Sequence, residues 1–292
     1  MSAAPPSGVV VVDKPAGMTS HDVVDRIRRL AGTRKVGHAG TLDPMATGVL
    51  LVGVNRATRL LGHLTLTEKA YDATVRLGVA TSTDDAEGET LRTAHADRLS
   101  EDDVRRAAAT FLGDIEQRPS AVSAIKVDGT RSYARVRAGE HVELPARPVT
   151  MHELRVDGLR RSGGYLDLDI AVRCSSGTYV RAITRDLGEV LGVGGHLTML
   201  RRAAVGPFRL ADAHTLDDLA DVFEIVDITR VARRCFATYE LDAQQVRDVT
   251  HGRTLTVGLG VSGPVAVFDG SGSFLALYEQ RGAVAAPVAV FV

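Results

Sequence analysis

Gly37-His38-Ala39-Gly40-Thr41-Leu42-Asp43-Pro44-Met45-Ala46-Thr47-Gly48 is a glycine-punctuated stretch with one carboxylate at its centre. The glycines let backbone approach a ligand closely, and the flanking segments read as regular structure that would hold Asp43 in place. Pro44 removes a backbone donor and biases Leu42 and Asp43 toward extended conformations. An Asp-Pro among glycines also closes ordinary turns, so the stretch takes its meaning from its surroundings. No Gly-Lys-Ser or Gly-Lys-Thr follows it, so it is not a P-loop, and the chain has no dinucleotide fingerprint.

Moving outward, Val9 to Val12 reads as a short buried strand and Val49 to Val52 as another. Ser20 is expected to cap a helix whose apolar residues Val23, Val24, Ile27 and Leu30 share one face before Gly32 ends it. Tyr71, Ala73, Val75 and Leu77 alternate with Asp72, Thr74 and Arg76, the period of a strand covered on one face, with Tyr71 inward. Ser100 and Asp103 form a capping box that opens a helix through Phe111. Val149 to Val156 and Leu166 to Arg173 read as a hairpin turning at Ser162-Gly163-Gly164, and Thr178 to Leu191 as a helix with Gly192 near its end. Strands linked by hairpins as well as by helices predict an α+β fold with a mixed, largely antiparallel sheet, not a doubly wound one. Beyond about Arg230 the chain turns glycine-rich, and Val265 to Phe268, Phe274 to Tyr278 and Val288 to Val292 read as strands of a small β domain.

The 292 residues suffice for one large domain or two, and 45% hydrophobic with 24% charged residues is ordinary for a soluble globular protein. No basic n-region and long apolar run opens the chain, so a cytoplasmic protein is expected. Cys174 and Cys235 are too few to build a zinc site and are expected as free thiols. The 35 basic and 36 acidic residues nearly cancel, which is not the usual nucleic-acid footprint. Their distribution is uneven. From Arg26 to Arg59 the basic residues are Arg26, Arg28, Arg29, Arg34, Lys35, Arg56 and Arg59, with Asp43 the one acid among them. Acids gather instead at 84–103 and 212–224, a segregation that permits RNA binding on one face.

The central stretch resembles the main motif of the bacterial TruB-type tRNA pseudouridine synthases, in which the aspartate is catalytic. Further blocks occur in the family's order. Asp13-Lys14-Pro15-Ala16-Gly17-Met18-Thr19-Ser20 resembles the first motif, and Lys69-Ala70-Tyr71 with Arg76-Leu77-Gly78 the tyrosine strand. Thr81, Thr83, Asp85 and Gly88 match a polar loop, and Pro119-Ser120, Ser123-Ala124 and Lys126 the start of an inserted segment. Cys174-Ser175-Ser176-Gly177-Thr178-Tyr179-Val180-Arg181 matches the arginine motif, and His196 with Leu200-Arg201-Arg202 closes a series spanning roughly residues 8 to 210.

The resemblance implies a catalytic domain at 1–229, a thumb inserted at about 111–149 that folds over the RNA stem-loop, and a compact PUA-like RNA-binding domain at 230–292. It implies isomerisation of uridine at position 55 in the tRNA T-loop, with Asp43, Tyr71 and Arg181 as catalytic residues. RNA contacts are implied for Lys14, His38, Lys69, Lys126, Tyr179, Arg201 and Arg202, with Arg118, Arg131, Arg135, Arg137 and Arg147 of the thumb facing phosphates. Ser176 stands where many members have lysine, which weakens the phosphate contact expected there, and Ala39 occupies a variable position. Moving a ribose bond from base N1 to C5 loses no atom and needs no redox or phosphate energy, so no cofactor and no metal are implied. The expected partner is the tRNA T-stem-loop, met by a monomer with no membrane and no protein partner. An RNA-folding module with secondary catalysis needs the same surface and is the alternative; a phosphate-binding sugar enzyme would have no use for an arginine-rich thumb.

Overall fold

The computed structural model describes residues 7–121 and 144–292, and between them the backbone of two short paired strands, Lys126–Val127 and Thr130–Arg131. Most of the expected thumb, including Ser123, Ala124, Arg135, Arg137 and the side chains of Lys126 and Arg131, lies outside the described residues.

A ten-stranded sheet dominates the described residues. Its path runs Val226–Asp227, Gly8–Lys14, Thr47–Val54, Gly195–Val205, Lys69–Leu77, Tyr165–Cys174, Arg147–Ser162 and Gly113–Gln117, with Val36–Ala39 and Phe208–Arg209 paired beside it. The central contact of Gly195–Val205 with Thr47–Val54 is parallel; the other pairs are antiparallel. The expected α+β fold with a mixed, largely antiparallel sheet is therefore the one observed.

The valine run explains how the sheet is covered. Val10 and Val12 belong to one core, Val9 and Val11 to another on the opposite face, and Leu50 and Val52 alternate with Val49 and Leu51 in the same way. Successive side chains of a strand point to opposite faces, so an unbroken apolar run is required where both faces are covered. Farther along the sheet, Tyr71, Ala73, Val75 and Leu77 are buried in the first core, whereas Asp72 is exposed.

The helices keep their expected positions with local adjustments. Ser20–Ala31 is capped by Thr19, which forms a capping box with Asp22, and not by Ser20. Ser20 is instead buried, its hydroxyl engaged elsewhere. Gly32 ends that helix at φ 62°, a conformation glycine adopts without steric cost. The Ser100–Asp103 capping box opens Glu101–Ala109, two residues shorter than expected. Val180–Val190 starts two residues late because the Gln117 side chain holds Tyr179 in extended backbone, accepting from its N–H at 2.7 Å and donating to its carbonyl at 3.0 Å.

At the C-terminal end, Ala237–Glu240, Val265–Phe268, Phe274–Arg281 and Val284–Val290 form a second sheet. Its last strand begins earlier than expected because the chain reverses at Gly282, φ 60°. Phe268, Phe274, Leu277 and Phe291 from this sheet share one core with Val9, Val11, Val49 and Leu51. Arg56 donates to the Phe291 carbonyl at 2.7 Å and Arg59 to that of Val290, so two cations of the basic segment hold the second sheet.

Candidate active site

The Asp43 loop is held from three directions. Ser20 Oγ accepts from Leu42 N–H at 2.9 Å and donates to the Leu42 carbonyl at 3.1 Å. From the first motif, Gly17 N–H donates to the Pro44 carbonyl at 2.8 Å, and the buried Lys14 ammonium donates to the carbonyls of Pro15, Met18 and Pro44 at 2.8, 2.6 and 3.3 Å. Burial pushes Lys14 down to about 8, with Asp43 pulling the other way. From the last motif, Arg202, only 1% exposed, donates to the carbonyls of Val49 at 2.7 Å, Gly40 at 2.9 Å and Thr41 at 3.4 Å.

Asp43 itself is paired with Arg181, Nε to Oδ2 at 2.9 Å. Arg181 is 5% exposed and also donates to the Thr83 carbonyl at 2.9 Å and meets Asp85 Oδ2 at 3.4 Å. Asp84 turns the chain between these two groups at φ 61°, and its carbonyl accepts from Leu197 N–H at 3.0 Å. A guanidinium's rigid fork thus fixes the Asp43 carboxylate against a buried, doubly anchored cation. Tyr71 is buried beside them. Loss of solvation raises its phenol above the ordinary value, against the pull of the nearby Arg202 guanidinium.

Asp43, Tyr71 and Arg181 line a cavity of about 270 Å³, together with Lys69, Tyr179, Leu200 and Arg202. The structure therefore brings the three expected catalytic residues into one site. Lys14, His38 and Arg201 do not line it. Lys14 braces the loop from behind, and His38, on the Val36–Ala39 strand, lies edge-on to His21 with ring centroids 6.4 Å apart. Arg201 is half-buried against Asp13 at 2.7 Å and Thr47 Oγ1 at 3.2 Å. Arg202 reaches the cavity with its guanidinium already engaged by the loop. Asp85 and Gln117 act on the site without having been singled out as site residues; the Thr-x-Asp spacing of Thr83 and Asp85 was a signal for the first, and nothing local pointed to the second. Among the described residues, no group of three His, Cys, Asp or Glu is placed to hold a metal, and no helix is long and apolar enough to cross a membrane.

Residues 28–180 match the family profile described as TruB family pseudouridylate synthase, N-terminal domain. Residues 181–242 match the tRNA pseudouridylate synthase B C-terminal domain, and 236–292 the C-terminal region of tRNA pseudouridine synthase II. The chain is 56% identical over 288 residues to tRNA pseudouridine synthase B of Thermobifida fusca (strain YX), covering 97% of this chain and 98% of that protein. It is 53% identical over 295 residues to the protein of the same name from Arthrobacter sp. (strain FB24), covering 98% and 96%. Among solved structures it resembles a chain of a Cbf5-Nop10-Gar1 complex, at TM-score 0.75 and 27% identity, covering 99% of this chain and 86% of that one. It also resembles a chain of an H/ACA RNP bound to a substrate RNA containing 2'-deoxyuridine, at TM-score 0.72 and 26% identity, covering 98% and 85%. With the paired Asp43 and Arg181 in one cavity with Tyr71, these matches over nearly the whole chain establish that it belongs to the TruB family of pseudouridine synthases, isomerases that convert uridine to pseudouridine.

Proposed function

We propose that this enzyme isomerises uridine 55 in the T-loop of tRNA, with Asp43 as the catalytic carboxylate. The observation that carries the proposal is the Asp43–Arg181 pair at 2.9 Å on the wall of a cavity of about 270 Å³. That volume falls just below the roughly 300–1,000 Å³ of sites for drug-sized ligands, so it suits a single base. The names of the relatives, tRNA pseudouridine synthase B, support tRNA as the substrate.

A base stacked in a T-loop is out of reach, so the target nucleotide must be extruded at a cost of a few kcal/mol, offset by stacking and phosphate contacts. Tyr71 offers a ring face to the uracil, and the buried Leu42 and Leu200 side chains keep water from a cleaved ribose. Asp43, paired with Arg181, attacks C1′ or removes a ribose proton. His38, outside the cavity, enters the vacated space in the RNA loop. Lys126 and the thumb arginines, with Tyr179 and Arg201, meet the stem-loop backbone, and the 230–292 region adds a PUA-like contact.

The test is tritium release from C5 of uridine in an unmodified tRNA transcript, with the modified position mapped and Asp43→Asn run beside the parent. Release at position 55 by the parent alone is the expected outcome. A folded parent that binds and refolds tRNA without release would replace this reading with that of an RNA-folding module.

A further inference from the structure

Heterolysis of the C1′–N1 bond leaves its electron pair on the base. Whether an Asp43 oxygen then bonds to C1′ or a C2′ proton passes to Asp43, the carboxylate charge is consumed and the detached base is uracilate. Negative charge thus moves from Asp43 onto the base within the cavity, and a fixed cation there would lower the barrier.

Four basic side chains surround the Asp43 loop, and their hydrogen bonds distinguish them. Lys14 meets three carbonyls and does not line the cavity. Arg181 is engaged by Asp43, Asp85 and the Thr83 carbonyl, and Arg202 by the carbonyls of Gly40, Thr41 and Val49. Lys69 lines the cavity, is 7% exposed, and donates to the carbonyls of Thr65 at 2.7 Å and Thr67 at 2.9 Å. An ammonium carries three N–H donors, so one remains. The side chain runs against the start of the catalytic loop: a Cβ at Gly40 would sit 3.4 Å from Lys69 Cε.

We propose that Lys69 is a catalytic residue whose charge and third N–H stabilise the uracilate formed on bond cleavage and hold the detached base while it turns. Burial, and after it the nearby Arg202, lowers Lys69 to about 8, with Cys174 acting in the opposite sense. The ammonium is therefore poorly compensated in the free enzyme, and an anion formed beside it is favoured over the neutral uridine that preceded it. No proton transfer is required of Lys69. The inference rests on the pseudouridine synthase reading of the same cavity.

The experiment measures single-turnover rates on tRNA transcripts carrying uridine or 5-fluorouridine at the target position, following loss of the parent nucleoside by mass spectrometry, with tRNA affinity measured separately. Lys69→Met should bind tRNA within about threefold of the parent yet react on the order of 10²–10³-fold more slowly with uridine. Lys69→Arg should recover most of that loss. Fluorine withdraws electrons and makes the base a better leaving group, so the deficit of Lys69→Met should shrink at least tenfold on 5-fluorouridine. Lys69→Gln keeps donors for the Thr65 and Thr67 carbonyls without the charge and carries the same expectation should Lys69→Met fail to fold. A Lys69→Gln rate on uridine within threefold of the parent, or an equal deficit on both substrates, overturns the proposal. An inactive parent overturns the functional reading instead.

Discussion

Gly48 and Arg202 are partners in the parallel strand pair of the main sheet, and a Cβ at Gly48 would lie 2.3 Å from the Arg202 carbonyl oxygen. The same Arg202 pairs with Tyr71 on its other side. The strand bearing Arg202 therefore lies between the end of the Asp43 loop and the tyrosine strand, and its guanidinium ties down the loop carbonyls.

Gly48→Ala is expected to destabilise the protein by about 2 kcal/mol or more, because φ 100° is strained for alanine and the added methyl meets backbone, which cannot swing aside. Urea unfolding checks this. Gly17 also has positive φ, 83°, but open space around its Cβ position, so Gly17→Ala should cost less.

Asp85→Asn removes a carboxylate 3.4 Å from Arg181 while keeping its size. Arg181 then loses one of the two carboxylates that hold it, keeping Asp43 and the Thr83 carbonyl. The turnover rate should fall by roughly tenfold to a hundredfold with little change in tRNA affinity, since the loss of about 1.4–2.7 kcal/mol bears on the catalytic pair. Equal loss in affinity and turnover would show that Asp85 serves RNA binding instead.

Lys14 supplies a pH signature. Its value is near 8 in the folded protein against 10.5 ordinarily, so between these limits the unfolded chain holds the proton that the folded chain has released. Stability from this group rises with pH through that window, by up to about 1.4 kcal/mol per pH unit, and is unaffected well below pH 8. The difference between parent and Lys14→Met in urea midpoint should therefore shift in the parent's favour from pH 8 to 10. A difference constant across that range would rule out the depressed ammonium.

Phe291 is 2% exposed, sits in the core shared by the two sheets, and offers its carbonyl to Arg56. Phe291→Ala should cost about 3–5 kcal/mol and lower the melting temperature of the whole chain in one transition. Two separated transitions in the parent would show that the C-terminal sheet folds independently.

What the sequence determined by itself is local. Capping boxes, the positive-φ turn at Gly163-Gly164, the period-two alternation at Tyr71 and the two-sided valine run are set within a few residues, where backbone sterics and side-chain direction act. The ordered motifs also named Asp43, Tyr71 and Arg181. The sequence did not distinguish an outward cation from an inward one: Lys14, Lys69 and Arg202 were all given as RNA contacts, and each is buried and donates to two or more main-chain carbonyls. Nor did it foresee that Ser20 would leave the cap to hold Leu42, or that Gln117 would delay the helix bearing Arg181. Those outcomes were decided by the tertiary structure, because a charged or polar side chain is buried only where distant segments present it with partners, and which segments meet is settled by the strand order of the sheet.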